Sequence, residues 1–203
     1  MGVPVKVWLG GEGRHELGGR VLAPPDERPG VIEALLRRVE RSGWHVLGVT
    51  PWRHIKKYAT GVHKAEERNV LGLVLTAAEQ GAEVVAFSRD VDSDPDRGRR
   101  VEAAIEKAAQ IIQLPAPIAI VGGVAKPAIE GWILALSGVR DTDDMSRPRC
   151  AQCMTDHAIE SSTQSFVTIV GKAALDQLPP GCDSLRTWLD RAKQLPLVVH
   201  GVA

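Results

Sequence analysis

The sequence is poor in aromatic residues and cysteine, and it contains no long apolar run. Among its 203 residues are two Phe, one Tyr, five Trp and three Cys, so we expect a core built mainly from Val, Leu, Ile and Ala. The odd number of cysteines argues against a disulfide framework, and a chain of this length can bury a core without one. No segment resembles a signal peptide or approaches the ~20 apolar residues that span a bilayer. We therefore expect a cytoplasmic protein that has no membrane partner.

An excess of charge of either sign is missing as well. The chain has 25 Lys and Arg residues and 25 Asp and Glu residues, which gives a formal net charge of zero at pH 7. This balance gives no global indication of a nucleic-acid or membrane partner, so any contact with nucleic acid must come from a local patch of charge. Internal repeats and low-complexity segments are also missing, and the length fits one sizeable globular domain.

Apolar runs typical of buried strands alternate with helical periodicity along the first two thirds of the chain. The predicted strands cover residues 3–9, 44–49, 84–87 and 118–121. The predicted helices cover residues 31–41, 70–81, 97–112 and 125–136. Such alternation predicts an α/β fold with a mostly parallel, Rossmann-like sheet flanked by helices. In such sheets, ligands collect at the carboxyl ends of the strands, and we expect the acidic residues that follow the first and third strands, Glu12 and Asp90, to lie there.

The region after residue 146 differs from the rest of the chain. We predict a domain over residues 1–146 and a small C-terminal extension over residues 147–203. In the extension, the pattern predicts a weak strand over residues 163–170 and a helix over residues 183–194. The inward-facing residues of that helix are predicted to be Leu185, Trp188 and Leu189. Residues 195–199 are expected to form a last strand or an ordered tail.

The most informative stretch is an apolar strand that continues into acidic residues at alternate positions. Residues 84–87 are followed by Asp90, Asp92, Asp94 and Asp96. Side chains at positions i and i+2 of an extended chain share a face, so Asp90 and Asp92 can converge on one cation, with Asp94 close behind. Carboxylates suit Mg²⁺ or Mn²⁺, which also bind phosphate oxygens, so this interpretation predicts a phosphate-ester substrate. The alternative is a solvated, Asp-rich turn.

Residues at fixed positions argue against two other ligand-binding motifs. An EF-hand loop needs Gly and Glu at positions where this chain has Pro95 and Val101. The spacing of Gly11 and Gly13 resembles the start of a dinucleotide-binding fingerprint, but its third glycine is replaced by Glu16. Gly11 and Gly13 instead leave room for a phosphate or a metal to approach the backbone.

Basic residues form two local groups. Lys56 and Lys57 lie in a stretch with interleaved aromatic residues, which is typical of contact with nucleic acid, although a solvated helix start fits the composition equally well. Arg97, Arg99 and Arg100 stand at the head of a predicted helix, where they oppose its dipole and suit an anion better than they suit stability. The candidate nucleic-acid contacts are therefore Arg14, Lys56, Lys57, Arg97, Arg99 and Arg100.

Two further features leave a structural and a functional alternative open. The extension contains the soft metal ligands Cys150, Cys153, His157 and Cys182, which are sufficient for a tetrahedral Zn²⁺ site. The alternative for them is a set of reduced, partly buried thiols. Glu130 lies in the first turn of a predicted helix, where it is either a capping residue or a functional acid.

Two acidic motifs together resemble the Toprim domain, the catalytic domain shared by topoisomerases, primases and small nucleases. Glu12-Gly13-Arg14-His15-Glu16 resembles its Glu-Gly-x-x-(Asp/Glu) motif, and Asp90-Val91-Asp92 resembles its later Asp-x-Asp motif. The chain is most similar to small stand-alone Toprim proteins of the RloB and OLD types, in which a Pro and a Glu precede a Trp-containing helix, as Pro127, Glu130 and Trp132 do here. Gly10-Gly11 departs from the family, which has apolar residues before the glutamate.

The resemblance implies functional roles for individual residues. The implied catalytic residues are Glu12, Glu16, Asp90, Asp92 and Glu130, and the implied metal ligands are Glu12, Asp90, Asp92 and Asp94. The family further implies a Mg²⁺- or Mn²⁺-dependent endonuclease that acts beside a partner ATPase or another subunit of a phage-defence or mobile-element system.

Two other functions compete with that prediction. One is a subunit that keeps the fold but only binds nucleic acid or a partner, and the other is nucleotidyl or phosphoryl transfer as in primases. A nucleotide-binding motif that the second would need is not visible in the sequence. The extension is expected to serve either as a zinc module or as a contact in a homo-oligomer.

Overall fold

A parallel sheet forms the centre of the computed structural model, which describes residues 4–22, 24–39, 43–56, 65–111 and 117–195. The strands in these residues are β1 (Val5–Gly11), β2 (Trp44–Pro51), β3 (Val84–Phe87), β4 (Arg89–Asp90), β5 (Ala119–Val121) and β6 (Val124–Ala125). The sheet order is β2-β1-β3-β5, and all its pairings are parallel. Just beyond β3 and β5, the short strands β4 and β6 form a second parallel pair. The predicted α/β fold with a mostly parallel sheet is therefore confirmed.

Helices cover both faces of this sheet. They are α1 (Arg14–Leu17), α2 (Val31–Val39), α3 (Ala65–Glu79), α4 (Arg97–Ile111), α5 (Ile129–Leu136), α6 (Arg147–Asp156), α7 (Thr163–Lys172) and α8 (Asp183–Lys193). Strand β3 contributes to both cores, because Val84 and Ala86 pack on one face of the sheet and Val85 and Phe87 on the other. Helices α3 and α4 cover the face of Val85, and the other helices contribute to the core on the opposite face. This two-sided burial explains why the strand is apolar without interruption.

The helix predicted over residues 125–136 begins later than expected. Its first residue is Ile129, because Val124 and Ala125 form β6 and pair with β4. The pairing places the start of α5 directly beside Asp90, the last residue of β4. The prediction missed a strand of two residues, which is too short to give a periodic signal.

The strand predicted over residues 163–170 is wrong, because this segment forms helix α7. The stretch is rich in Thr, Val, Ile and Phe, which favour strands, but these preferences depend strongly on packing. In the helix, Phe166 and Val170 are one turn apart, and both are fully buried in the core beside α2. The Ser162 hydroxyl accepts a hydrogen bond from the Ser165 N–H, which caps the helix N-terminus.

The segment after residue 146 packs on the same core as the residues before it. Phe166 and Trp188 belong to one buried cluster with Trp132. The Trp188 indole N–H donates a hydrogen bond to the Phe87 carbonyl (2.9 Å), which fixes α8 against the end of β3. Helix α8 and its buried face, Leu185, Trp188 and Leu189, agree with the prediction. The end of the predicted last strand, residues 196–199, lies outside the described residues.

None of the helices in the described residues combines the length and the apolar character needed to cross a bilayer.

Candidate active site

The two acidic motifs meet at the carboxyl ends of neighbouring strands. Glu12 directly follows β1, and Asp90 ends β4, which continues the line of β3 beside β1. The Asp90 N–H donates a hydrogen bond to the Glu12 carboxylate (3.2 Å), although the two residues are 78 positions apart. The expectation that both motifs lie at the carboxyl edge of a parallel sheet is therefore confirmed.

The glycines before Glu12 have a packing role. A Cβ on Gly10 would lie 2.5 Å from a methyl carbon of Leu73, and one on Gly11 would lie 2.7 Å from the Cβ of Glu16. Helix α3 therefore packs closely on Gly10, and α1 folds back on Gly11 at the end of β1. This close packing is the physical reason for the two glycines at positions where the Toprim pattern has apolar residues.

Asp90 is the most buried acid of the Asp-rich stretch, with 6% of the residue exposed. Its Oδ1 accepts a hydrogen bond from the Ile129 N–H at the start of α5 (3.1 Å), and its Oδ2 accepts one from the Arg147 guanidinium (2.6 Å). Burial is the main cause that raises the pKa of Asp90 to about 7, followed by the negative charge of Glu16. Arg147 opposes this rise, and Glu130 and Asp92 add to it.

Arg147 brings Asp90 and Asp92 together. The same guanidinium nitrogen, Nη2, contacts Oδ2 of Asp90 (2.6 Å) and Oδ1 of Asp92 (2.5 Å). The two carboxylates thus converge on one cationic group, as the sequence predicted for a cation. The sequence predicted this convergence because alternate side chains of a strand share a face. The strand, however, ends at Asp90, and Asp92 adopts a left-handed backbone conformation with φ of 55°. The convergence therefore results from a turn.

Glu16 and Glu130 complete a group of acids around Asp90. Glu16 is buried, and its Oε2 accepts a hydrogen bond from the Gly13 N–H (3.0 Å). Burial raises the pKa of Glu16, and the charge of Glu130 adds to this effect. Because Glu16, Glu130 and Asp92 all raise the pKa of Asp90, four acids are close enough to interact around Arg147. This group, Glu16, Asp90, Asp92 and Glu130, is called the acid cluster below.

Glu12 and Asp94 are paired with other arginines. The Glu12 carboxylate forms an ion pair with Arg89, whose guanidinium pKa is lowered by burial and by the neighbouring Arg97. Asp94 forms an ion pair with Arg100 and lies 3.8 Å from Arg97. The predicted metal ligands therefore have different partners: Asp90 and Asp92 share Arg147, and Asp92 also pairs with Arg97 (2.7 Å), whereas Glu12 pairs with Arg89 and Asp94 with Arg100.

The donor chemistry of the Asp90 and Asp92 pair fits Mg²⁺ or Mn²⁺. Among the described residues, no three His, Cys, Asp or Glu side chains are arranged as ligands of one metal ion. Mg²⁺, however, commonly uses only one or two carboxylates and fills its remaining positions with water and substrate phosphate. Two carboxylate oxygens that contact the same nitrogen atom satisfy this requirement.

The predicted nucleic-acid contacts have different environments. Arg14 and Lys56 are exposed, and Arg99 is 79% exposed and paired with Asp96. Arg97, in contrast, is only 15% exposed, and its Nη1 donates hydrogen bonds to the backbone carbonyls of residues 90 and 91 and to Asp92. It therefore holds the acidic loop, and little of its side chain is exposed for contact with nucleic acid. Arg100 is bound to Asp94, and Lys57 lies outside the described residues.

The candidate zinc ligands do not form one group within the described chain. Cys150 and Cys153 are buried on α6, whereas the Cys182 thiol precedes α8 and donates a hydrogen bond to the Val139 carbonyl (3.6 Å). The ring of His157 contacts the Cys153 carbonyl (2.9 Å). Burial raises the pKa of the Cys150 thiol to about 11, so it stays protonated at neutral pH. These observations favour the alternative of reduced, buried thiols.

Arg147 and Arg89 were not identified from the sequence. Arg147 is 57 residues from Asp90 along the chain, and its only local signal is a helix start marked by Ser146 and Pro148. Arg89 directly precedes Asp90, so its position beside the acidic motif was visible. Its pairing with Glu12 was not visible in the sequence, because that pairing depends on the contact between β1 and β3.

Comparisons with known proteins add no assignment to this geometry. No protein-family model, curated protein or solved structure matches the chain.

Proposed function

We propose that this protein is a metal-dependent phosphodiester hydrolase that acts on nucleic acid. The observation that carries the proposal is the convergence of Asp90 and Asp92 on a single cationic nitrogen at the carboxyl edge of the sheet, with Glu16 and Glu130 nearby. Such a group of acids is unfavourable for stability, because like charges repel and burial penalises them. Clustered carboxylates with perturbed pKa values in an open site are typical of catalytic centres.

Asp90 and Asp92 would hold Mg²⁺ or Mn²⁺, which, when bound, would lower the pKa of a coordinated water and polarise a phosphate oxygen. Glu12 is fixed by the Asp90 N–H, so its carboxylate is oriented towards the same strand end. Burial raises the pKa of Glu16, which favours a role for its carboxyl group in proton transfer. The side chain of Arg147 is 52% exposed and can leave the aspartates to pair with a phosphate through two parallel hydrogen bonds.

A binding subunit without catalysis is the second candidate. It is favoured by one observation, namely that Glu12, Asp90, Asp92 and Asp94 all form ion pairs with arginines of the same chain. An acidic site that is already paired in this way needs no metal to be stable. The resemblance to Toprim proteins supports the hydrolase over this alternative.

Cleavage assays test the proposal directly. Labelled single- and double-stranded DNA and RNA are incubated with the wild type, Asp92→Asn and Glu12→Gln in the presence of Mg²⁺, Mn²⁺ or EDTA. We expect metal-dependent cleavage by the wild type and a loss of at least about 100-fold in both variants, because ligand and acid–base groups typically contribute on this scale. The matched control is Asp96→Asn, an acid of the same loop that is 61% exposed and, within the described residues, is paired only with the exposed Arg99.

The two candidate functions give opposite results. Equal cleavage by the wild type and Asp92→Asn would reject the assignment of the metal ligands. If folded wild type cleaves none of these substrates with either metal, the binding subunit becomes the better conclusion, and a search for the partner ATPase implied by the resemblance follows.

A further inference from the structure

A cavity of about 430 Å³ lies directly beside the acid cluster. It is bounded by the segment before α5, by α6 and by the loop between α6 and α7. Its volume is in the range of pockets that bind small organic ligands, roughly 300–1,000 Å³. Neither the hydrolysis proposed above nor the packing of the core requires this space.

The cavity and the acid cluster share two residues. Glu130 and Arg147 line the cavity, and the same Arg147 guanidinium contacts Asp90 and Asp92. A ligand in the cavity therefore lies one side chain away from the place where the scissile phosphate is proposed to bind. This adjacency favours a ligand that is covalently attached to that phosphate.

The lining of the cavity suits a flat ring with polar edges. Pro127, Met154 and Ile159 supply apolar surface, and Thr155 and Ser161 supply hydroxyl groups. The Thr155 hydroxyl donates to the Ala151 carbonyl (3.2 Å), so its oxygen lone pairs are left to accept a hydrogen bond from a ligand. Apolar side chains against the faces of a ring and hydrogen-bonding groups at its edge are how enzymes hold a base that has left the stack.

A second cavity indicates that the ligand is part of a polymer. This cavity, of about 220 Å³, shares Ser161 with the first and is also lined by Arg14, His15 and Arg28. The first cavity thus shares residues with the acid cluster and with the second cavity, whose Arg28 forms an ion pair with Asp26. A chain in which phosphates alternate with bases can occupy all three sites, whereas a single small metabolite would leave the second cavity unused.

We propose that the 430 Å³ cavity receives one unpaired nucleobase next to the phosphodiester at Asp90 and Asp92. The inference rests on the proposed function and specifies its substrate as single-stranded nucleic acid or a strand with an extruded base. A base within a duplex is stacked and paired, so it does not enter a side cavity without being unstacked.

Binding without metal tests this proposal separately from hydrolysis. The probes are fluorescently labelled dT and rU tetranucleotides and matching tetranucleotides in which every base is replaced by an abasic residue. Their affinities for the full chain are measured by fluorescence anisotropy in EDTA. Because base contacts of this kind contribute roughly 1–3 kcal/mol, we expect the wild type to bind at least one intact probe about tenfold or more tightly than its abasic form.

Two tryptophan substitutions on the same helix provide the control. Ala151→Trp fills the cavity from an exposed position of α6, whereas Gln152→Trp adds the same bulk at the next residue, which is also exposed and does not line the cavity. We expect the preference for intact probes to fall below twofold in Ala151→Trp and to persist in Gln152→Trp. Thr155→Val, which keeps the shape but removes the hydroxyl, should reduce the preference by a smaller factor.

Three outcomes would overturn the cavity proposal: no binding of any tetranucleotide, equal binding of intact and abasic probes by the wild type, or equal behaviour of the two tryptophan variants. Failure of the hydrolase proposal has a different signature. In that case the preference for intact bases and its loss in Ala151→Trp are observed, while no substrate is cleaved when Mg²⁺ or Mn²⁺ is added.

Discussion

Two buried carboxylates, Glu33 in α2 and Asp90 in β4, have opposite surroundings. Glu33 is fully buried and accepts hydrogen bonds from two arginines, Arg20 and Arg37, at distances of 2.7–3.5 Å. Asp90 is almost as buried, but it shares the single guanidinium of Arg147 with Asp92. The first site has two arginines for one acid, whereas the second has two arginines, Arg147 and Arg97, for the four acids of the acid cluster.

The difference shows that a buried acid does not by itself indicate function. At Glu33 the two arginines offset the cost of burying the charge, so the site holds α2 in place without any ligand. Around Asp90, the further acids Glu16 and Glu130 raise its pKa instead of balancing it. The ratio of arginines to acids therefore separates the structural carboxylate from the candidate catalytic one.

The pH dependence of stability should distinguish the two carboxylates most strongly. The folded-state pKa of Asp90, about 7, lies above the value near 3.9 of an unfolded chain. The folded protein therefore binds this proton more tightly, and the resulting stability is fully present below pH 4 and is lost as the pH rises through 7. We expect the wild type to lose roughly 3–4 kcal/mol of unfolding free energy relative to Asp90→Asn between pH 4 and pH 8.

Urea denaturation at several pH values measures this difference. Asn at position 90 keeps an acceptor for the Ile129 N–H but does not titrate. Glu33→Gln serves as the control, because it leaves Asp90 unchanged and should retain the pH dependence of the wild type. The prediction is contradicted if the unfolding free energy of the wild type, relative to that of Asp90→Asn, stays constant or rises between pH 4 and pH 8.

Substitution of Glu33 should destabilise the protein, because it breaks a buried ion pair. Glu33→Gln leaves Arg20 and Arg37 beside a neutral amide, whose N–H groups cannot accept their hydrogen bonds. Because both arginines reach solvent in part, we expect a loss of about 2 kcal/mol, at the lower end for a broken buried ion pair. The loss is measured by urea denaturation at pH 8, with Asp96→Asn as an exposed control expected to change little. Equal stability of Glu33→Gln and the wild type would remove the contrast between the two sites.

The positions of the acids at the sheet edge were predictable because their signals are local. Residues 84–87 are apolar without interruption because β3 is buried on both faces, and Asp90 and Asp92 follow within five residues. Parallel strands bring their carboxyl ends to one edge, so Glu12 was expected near Asp90 as soon as the α/β pattern was recognised.

The partners of these acids could not be predicted in the same way. Arg147 reaches Asp90 only because α5 and α6 pack together, and no local pattern reports such a contact. Helix α7 was missed for a related reason. Its Thr, Val and Ile residues favour a strand, and the burial of Phe166 and Val170 against other elements decides in favour of the helix. Local signals thus identified the acids, whereas tertiary packing determined their pairing.

The smallest expected effect concerns competition between Arg147 and a metal ion. If a metal binds between Asp90 and Asp92, it must first displace the guanidinium that contacts both. Since the Arg147 side chain is 52% exposed, its ion pair contributes only about 1 kcal/mol, which corresponds to a three- to tenfold change in affinity. We therefore expect Arg147→Ala to bind Mn²⁺ about three- to tenfold more tightly than the wild type in isothermal titration calorimetry without nucleic acid.

Two further variants isolate the role of the charge at position 147. Arg147→Lys keeps a cation at this position and should bind Mn²⁺ with an affinity close to that of the wild type. Arg149→Ala removes an exposed arginine two residues further along α6 and should have no effect. If Arg147→Ala binds Mn²⁺ no more tightly than the wild type, the guanidinium does not compete for the aspartates, and the excess of acids around Asp90 must have a cause other than metal binding.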